Sequence, residues 1–119
     1  MPGTFAVCRL PAGAPVPEWA WSGPFTSVTQ TADELSVVCA ADRVPEEHQP
    51  KSPWVCFKLE GPFAFSEVGI LASVIGPLAE SGVPIFAVST FDTDYVLVDA
   101  ENVEIALQAL RDASHQLVS

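Results

Sequence analysis

The sequence predicts an α+β fold: a mainly antiparallel sheet with helices on one face, built from one unit used twice. Two observations carry this. The hydrophobic period switches from two to helical spacing and back along the second half of the chain. The chain also matches itself, without gaps, at a shift of 60 residues. FTSVTQTADELSVVCA (25–40) lies over IFAVSTFDTDYVLVDA (85–100), with Val28 over Val88, Glu34 over Asp94 and Val38 over Val98.

Each element follows from local chemistry. Residues 4–10 read as a strand, and 11–17 as a loop with three prolines. Residues 18–21 have room for one helical turn at most. Residues 25–30 and 35–40 form a hairpin around Thr31-Ala32-Asp33-Glu34. Residues 43–53, with three prolines and no periodicity, read as a linker. In residues 54–60 Val55, Phe57 and Leu59 share one face, and Trp54, Cys56 and Lys58 the other.

From Ser66 the spacing of Val68, Leu71, Val74 and Leu78 is helical. Ser66 suits an N-cap and Gly82 a helix stop, while Pro77 removes one backbone bond near the end. Residues 85–90 and 95–98 are strands again. A last helix covers residues 101–113, with Val103, Ala106, Leu107 and Leu110 on one face and acids at its start. Residues 116–118 form a short strand or a tail.

Cys8-Arg9-Leu10 resembles Phe57-Lys58-Leu59 at a shift of 49. The difference of 11 falls where the second half has its first helix. The two halves therefore read as β-α-β-β-α units, 1–50 and 51–119, packed as one, the first having lost most of its helix. Right-handed crossovers make such a unit ferredoxin-like. The strand at 85–90 is apolar on both faces, so both are expected to be covered.

The 119 residues carry 5 basic and 15 acidic side chains, a net charge of −10. That balance argues against nucleic acid and against anionic membranes. No apolar stretch approaches the ~20 residues of a membrane span, and the N-terminus does not read as a signal peptide, so a cytoplasmic protein is expected. Cys8, Cys39 and Cys56 sit in apolar segments without C-x-x-C spacing. They read as buried hydrophobes rather than disulfide partners or metal ligands.

No arrangement for nucleophilic, metal or nucleotide chemistry is legible, so no enzyme activity, metal or cofactor is expected. Asp-Thr-Asp at 92–94 is too short for a calcium loop. Ligand binding fits better. Free N–H groups at the start of the helix, around Val68, Gly69 and Ile70, favour an anion without Lys or Arg. Asp92 or Asp94 suits an ammonium, and Ser89 and Thr90 offer hydroxyls. The bland alternative is that these are ordinary turn and strand-end caps.

The run VGILASVIGPLAESGVPIFAVSTFDTDYVLV (68–98), together with Glu34-Leu35-Ser36-Val37-Val38, resembles the ACT domain. It is most similar to the subgroup found in CASTOR-type arginine sensors and small bacterial tandem-ACT proteins. The resemblance covers residues 4–110. It implies a tandem ACT fold of βαββαβ repeats with a degenerate first copy, binding an amino acid where the repeats meet. By it, Phe65, Glu67, Val68, Gly69 and Ile70 take part of the ligand's backbone. Ser89, Thr90, Phe91, Asp92 and Asp94 line the rest, and Ser36 or Glu34 reaches across. The implied partners are a free amino acid or similar ligand, and a regulated enzyme or second subunit. The rival expectation is an interaction module with no ligand.

Overall fold

Alternation of buried and exposed side chains sets the first strand, Phe5–Pro11 (β1), in the computed structural model. The structure describes residues 1–59 and 67–115, with only the backbone of 67–70. It divides into two compact units, Gly3–Trp54, and Val55–Ser119 with Met1–Pro2.

In the first unit, Ser27–Gln30 (β2) and Glu34–Ala40 (β3) join β1 in the order β2-β3-β1. β1 runs antiparallel to β3 from Phe5 opposite Ala40 to Pro11 opposite Glu34. β2 pairs with β3 from Ser27 opposite Val38 to Gln30 opposite Leu35. One face carries Ala6, Cys8, Leu10, Leu35, Val37 and Cys39, packed with Ala20 and Val44. Phe5 is also buried, edge-on to Phe25 with ring centroids 6.1 Å apart. Instead of a first helix there is a four-residue 3-10 turn, Glu18–Trp21. The prolines before it cannot donate backbone bonds, which explains the loss. After β3 come two more short 3-10 turns, Ala41–Arg43 and Glu46–His48. The Gln49 side chain ties them down, donating to the carbonyls of Ala41 and Val44 at 2.8 Å each.

The second unit runs Trp54–Leu59 (β4), Glu67–Glu80 (α1), Phe86–Ser89 (β5), Asp94–Asp99 (β6) and Val103–Asp112 (α2). Its strand order is β4-β6-β5. β5 and β6 are antiparallel, from Phe86 opposite Leu97 to Ser89 opposite Asp94. Val74 and Leu78 of α1, Ala106 and Leu110 of α2, and Val96 and Val98 of β6 form one apolar cluster. Both helices therefore cover the same face of the sheet, the α+β, ferredoxin-like arrangement. Among the described residues no helix is long and apolar enough to cross a membrane. The expected N-cap Ser66 and the segment 116–118 lie outside the described residues.

Expectation and structure differ at β5. Val96, Leu97 and Val98 of β6 are all buried, so both faces of that strand are covered. On β5, Ala87 and Ser89 are exposed, and Phe86 and Val88 only half-buried. β5 is the outer strand of its unit, and the cover over β6 does not extend to it.

Both helices end alike. Gly82 takes φ +72°, with Val83 N–H donating to Leu78 O and Gly82 N–H to Ala79 O, each at 3.0 Å. Ser114 takes φ +68°, with His115 N–H donating to Leu110 O and Ser114 N–H to Arg111 O, each at 2.9 Å. These are Schellman endings, which satisfy the last carbonyls of a helix.

The second ending has a further consequence. Pro77 has no N–H, so the Ser73 carbonyl four residues earlier lacks its helical donor. His115 Nε2 lies 2.8 Å from that oxygen. A carbonyl only accepts, so Nε2 carries the proton. His115→Ala is expected to lower stability by about 1 kcal/mol. With Pro77→Ala, which restores an N–H, the loss is expected to shrink. Thermal melts of the unaltered protein, the two single variants and the double variant measure that coupling, and equal losses in both backgrounds would refute it.

Candidate functional site

The β5–β6 turn is closed by threonine rather than by its aspartates. Thr90 N–H donates to the Thr93 carbonyl at 2.8 Å, and Thr90 Oγ1 donates to the same oxygen at 3.0 Å. Thr93 N–H donates to Thr90 Oγ1 at 3.2 Å. This leaves Phe91 and Asp92 at the tip, Phe91 being 94% exposed. Thr93, which lies within the predicted run 89–94, takes the turn-closing role that the sequence suggests for the aspartates.

Asp94 sits quite differently. It begins β6 on the same face as Val96 and Val98, since side chains alternate along a strand. That face lies under α1 and α2. Asp94 is 6% exposed, the one buried charged side chain among the described residues. It is opposite Ser89 in the strand register, and Ser89 Oγ donates to Asp94 Oδ1. The carboxylate is thus fixed from one side at the end of an apolar face.

The first unit repeats this hairpin. Thr31 N–H donates to Glu34 O at 2.9 Å, and Thr31 Oγ1 accepts from the N–H groups of Asp33 and Glu34 at 3.1 Å each. Gln30 stands opposite Leu35 as Ser89 does opposite Asp94. The equivalence therefore runs at a shift of 59, not 60: Thr31 matches Thr90, Leu35 matches Asp94, and Val37 matches Val96. The 3-10 turns Ala41–Arg43 and Ala100–Asn102 follow at the same shift. The identity of Thr31 and Thr90 is the signal that would have found it.

The remaining predicted residues fall as follows. Glu67, Val68, Gly69 and Ile70 form the first turn of α1, and Phe65 lies outside the described residues. Glu34 and Ser36 share one face of β3 in the first unit, both half-buried. Ser36 is opposite Arg9 on one side and Thr29 on the other. Within the second unit the structure brings Ser89 and Asp94 together and places Thr90, Phe91 and Asp92 beside them in the turn.

The cysteines are free and buried. Burial pushes the Cys8 and Cys56 thiols up to about 11, against the N-terminal ammonium in the case of Cys56, and raises Cys39 as well. Such thiols stay protonated at neutral pH and are poor nucleophiles. Among the described residues no group of three or more His, Cys, Asp or Glu is placed to hold a metal ion.

A βαββα unit with both helices on one face of its sheet defines a small ferredoxin-like α+β domain. Residues 50–112 match the family model of the ACT domain, and the chain belongs to that family. Residues 3–47 match a second model, that of an N-terminal domain. The human Cytosolic arginine sensor for mTORC1 subunit 1 is 31% identical over 67 residues, 56% of this chain and 20% of that protein. The rat protein of the same name is 33% identical over 67 residues. The chain thus spans about a fifth of the length of these curated relatives.

Among solved structures, protein Atu0741 from Agrobacterium tumefaciens is 47% identical with a TM-score of 0.88, covering 98% of this chain and 87% of that one. Protein VC0802 from Vibrio cholerae is 21% identical with a TM-score of 0.69, covering 92% and 83%. Clostridium acetobutylicum aspartate kinase is 15% identical with a TM-score of 0.63, covering 92% of this chain and 33% of the enzyme. At these last two identities the likeness concerns the fold alone.

Proposed function

We propose that this chain is an amino-acid-binding regulatory module, its ligand held where the two repeats meet. The observation that carries the reading is Asp94. A carboxylate occupies a core-facing position of β6 that is taken by Leu35 in the first hairpin. Burying a charge is costly, so a carboxylate kept there in place of a leucine points to a cation it serves. An α-ammonium is such a cation. In this reading the first turn of α1 presents its N–H groups and the positive end of its dipole to the matching α-carboxylate. Glu34 and Ser36 complete the site from the first repeat in this reading, and binding is reported to a partner enzyme or second subunit rather than used in catalysis. The human relative is named for sensing arginine, and the net charge of −10 also favours a cationic ligand.

Thermal shift against a panel of the common amino acids tests this. A ligand at 100 times its Kd is expected to add roughly 2.7 kcal/mol of stability. No response from any member would favour the second reading, an interaction module without ligand. Phe91, 94% exposed at the tip of the turn, and the open face of β5 are what recommend that reading.

A further inference from the structure

The first unit holds a feature that the site above does not use. A cleft of about 530 Å³ opens beside the 3-10 turn Glu18–Trp21, lined by Glu18, Trp19, Trp21, Ser22, Gly23 and Arg43. We propose that it is a separate binding site for a small zwitterion with a flat side group.

Three observations support this. First, the Trp19–Ser22 side of the cleft is tied into the fold. The Trp19 ring lies over the His48 ring, centroids 5.6 Å apart and tilted by 31°. Ser22 Oγ donates to the Trp19 carbonyl at 2.7 Å, and the Ser22 carbonyl accepts from Ala40 N–H at 3.0 Å. The turn is therefore tied to the end of β3. That side of the cleft loses little conformational freedom on binding.

Second, Trp21 is 62% exposed. Tryptophan is highly buried on average, and an indole left this exposed at a cleft offers a stacking platform for a planar group. Third, the lining brings in charges of both signs, the Glu18 carboxylate and the Arg43 guanidinium, both exposed. Arginine pairs with a carboxylate through two parallel hydrogen bonds, and a carboxylate takes an ammonium. Aromatic ring and guanidinium both stack on an indole face. A zwitterion bearing either group satisfies the whole lining, and the volume is ample for one.

Nuclear magnetic resonance of the whole chain, labelled with nitrogen-15, tests the proposal through the indole N–H signals of Trp19, Trp21 and Trp54. Titration with L-tryptophan and with L-arginine is expected to move the Trp21 signal. Arg43→Gln is expected to weaken that response by about tenfold or more, the usual effect of losing a charge-assisted pair. Asp94→Asn is expected to leave it unchanged, which separates this cleft from the site proposed above. Indole, which lacks the charges, and glycine, which lacks the flat group, are expected to bind more weakly. An unmoved Trp21 signal would overturn the proposal. So would a response as strong in Arg43→Gln, a response lost in Asp94→Asn alone, or indole binding as tightly as tryptophan.

Discussion

Gly23→Ala is expected to cost about 3 kcal/mol or more, through backbone strain and overpacking together. Gly23 has φ +96°, a conformation that residues with a Cβ rarely adopt. A Cβ built there would stand 2.6 Å from the Ala40 Cβ, 3.3 Å from its nitrogen and 3.4 Å from its Cα. None of these atoms is the flexible end of a side chain. Ala40 is fixed as the last residue of β3, and its N–H donates to the Ser22 carbonyl. Either the turn after Trp21 or the end of the strand must move. For a chain of this size the melting point is expected to fall by roughly 10 °C or more. Gly13→Ala is the control. Gly13 has φ +79° but nothing within 4 Å of its would-be Cβ, so only strain remains. Ala40→Gly in the Gly23→Ala background removes the overlap and is expected to recover part of the loss. Equal losses at Gly13 and Gly23 would show that the approach to Ala40 does not matter.

The strands and helices were legible because their periods are. β4 alternates, α1 repeats at helical spacing, and Gly82 stops α1 where a left-handed residue is needed. The short first-unit turn followed from three prolines within residues 11–17, which remove too many backbone donors for a helix to run through them. The register of the repeat was not legible, and the reason is local. β3 and β6 each bury three successive residues, Val37-Val38-Cys39 and Val96-Leu97-Val98. A run covered on both faces has no alternation, and only alternation distinguishes one register from its neighbour. At 60 the sequences align by similarity, placing Glu34 over Asp94. At 59 they align by pairing and burial, placing Leu35 over Asp94. Among candidate site residues, the turn itself was legible, but not the division of labour within it. Asp-Thr-Asp reads as two equivalent turn carboxylates. Only the pairing of Ser89 with Asp94 across the strands buries one and leaves the other in water.

That equivalence sets the sharpest test of the proposed ligand site. Asp94→Leu installs the residue of the first hairpin at the same place in the second. If Asp94 is there for a ligand, removing it should cost the fold nothing. The leucine meets an apolar face, and exposed Ser89 turns its hydroxyl to water. Stability is expected to hold or to rise by about 1 kcal/mol, since apolar replacements of buried charges are often neutral or stabilising. Binding of an amino acid that stabilises the unaltered protein is expected to fall by about 100-fold or more, the usual consequence of truncating one partner of a buried charge pair. Asp94→Asn separates the two contributions. It keeps an acceptor for Ser89 and removes the charge, so the same loss of binding is expected with the hairpin unchanged. Ser89→Ala removes only the supporting bond, worth about 1 kcal/mol, and is expected to weaken binding far less. Titration calorimetry and thermal melts on the three variants give both readouts. A leucine variant that binds normally would make Asp94 a bystander. One that melts far below the unaltered protein would make the carboxylate a structural element of the hairpin, and the argument from its burial to a ligand would fail.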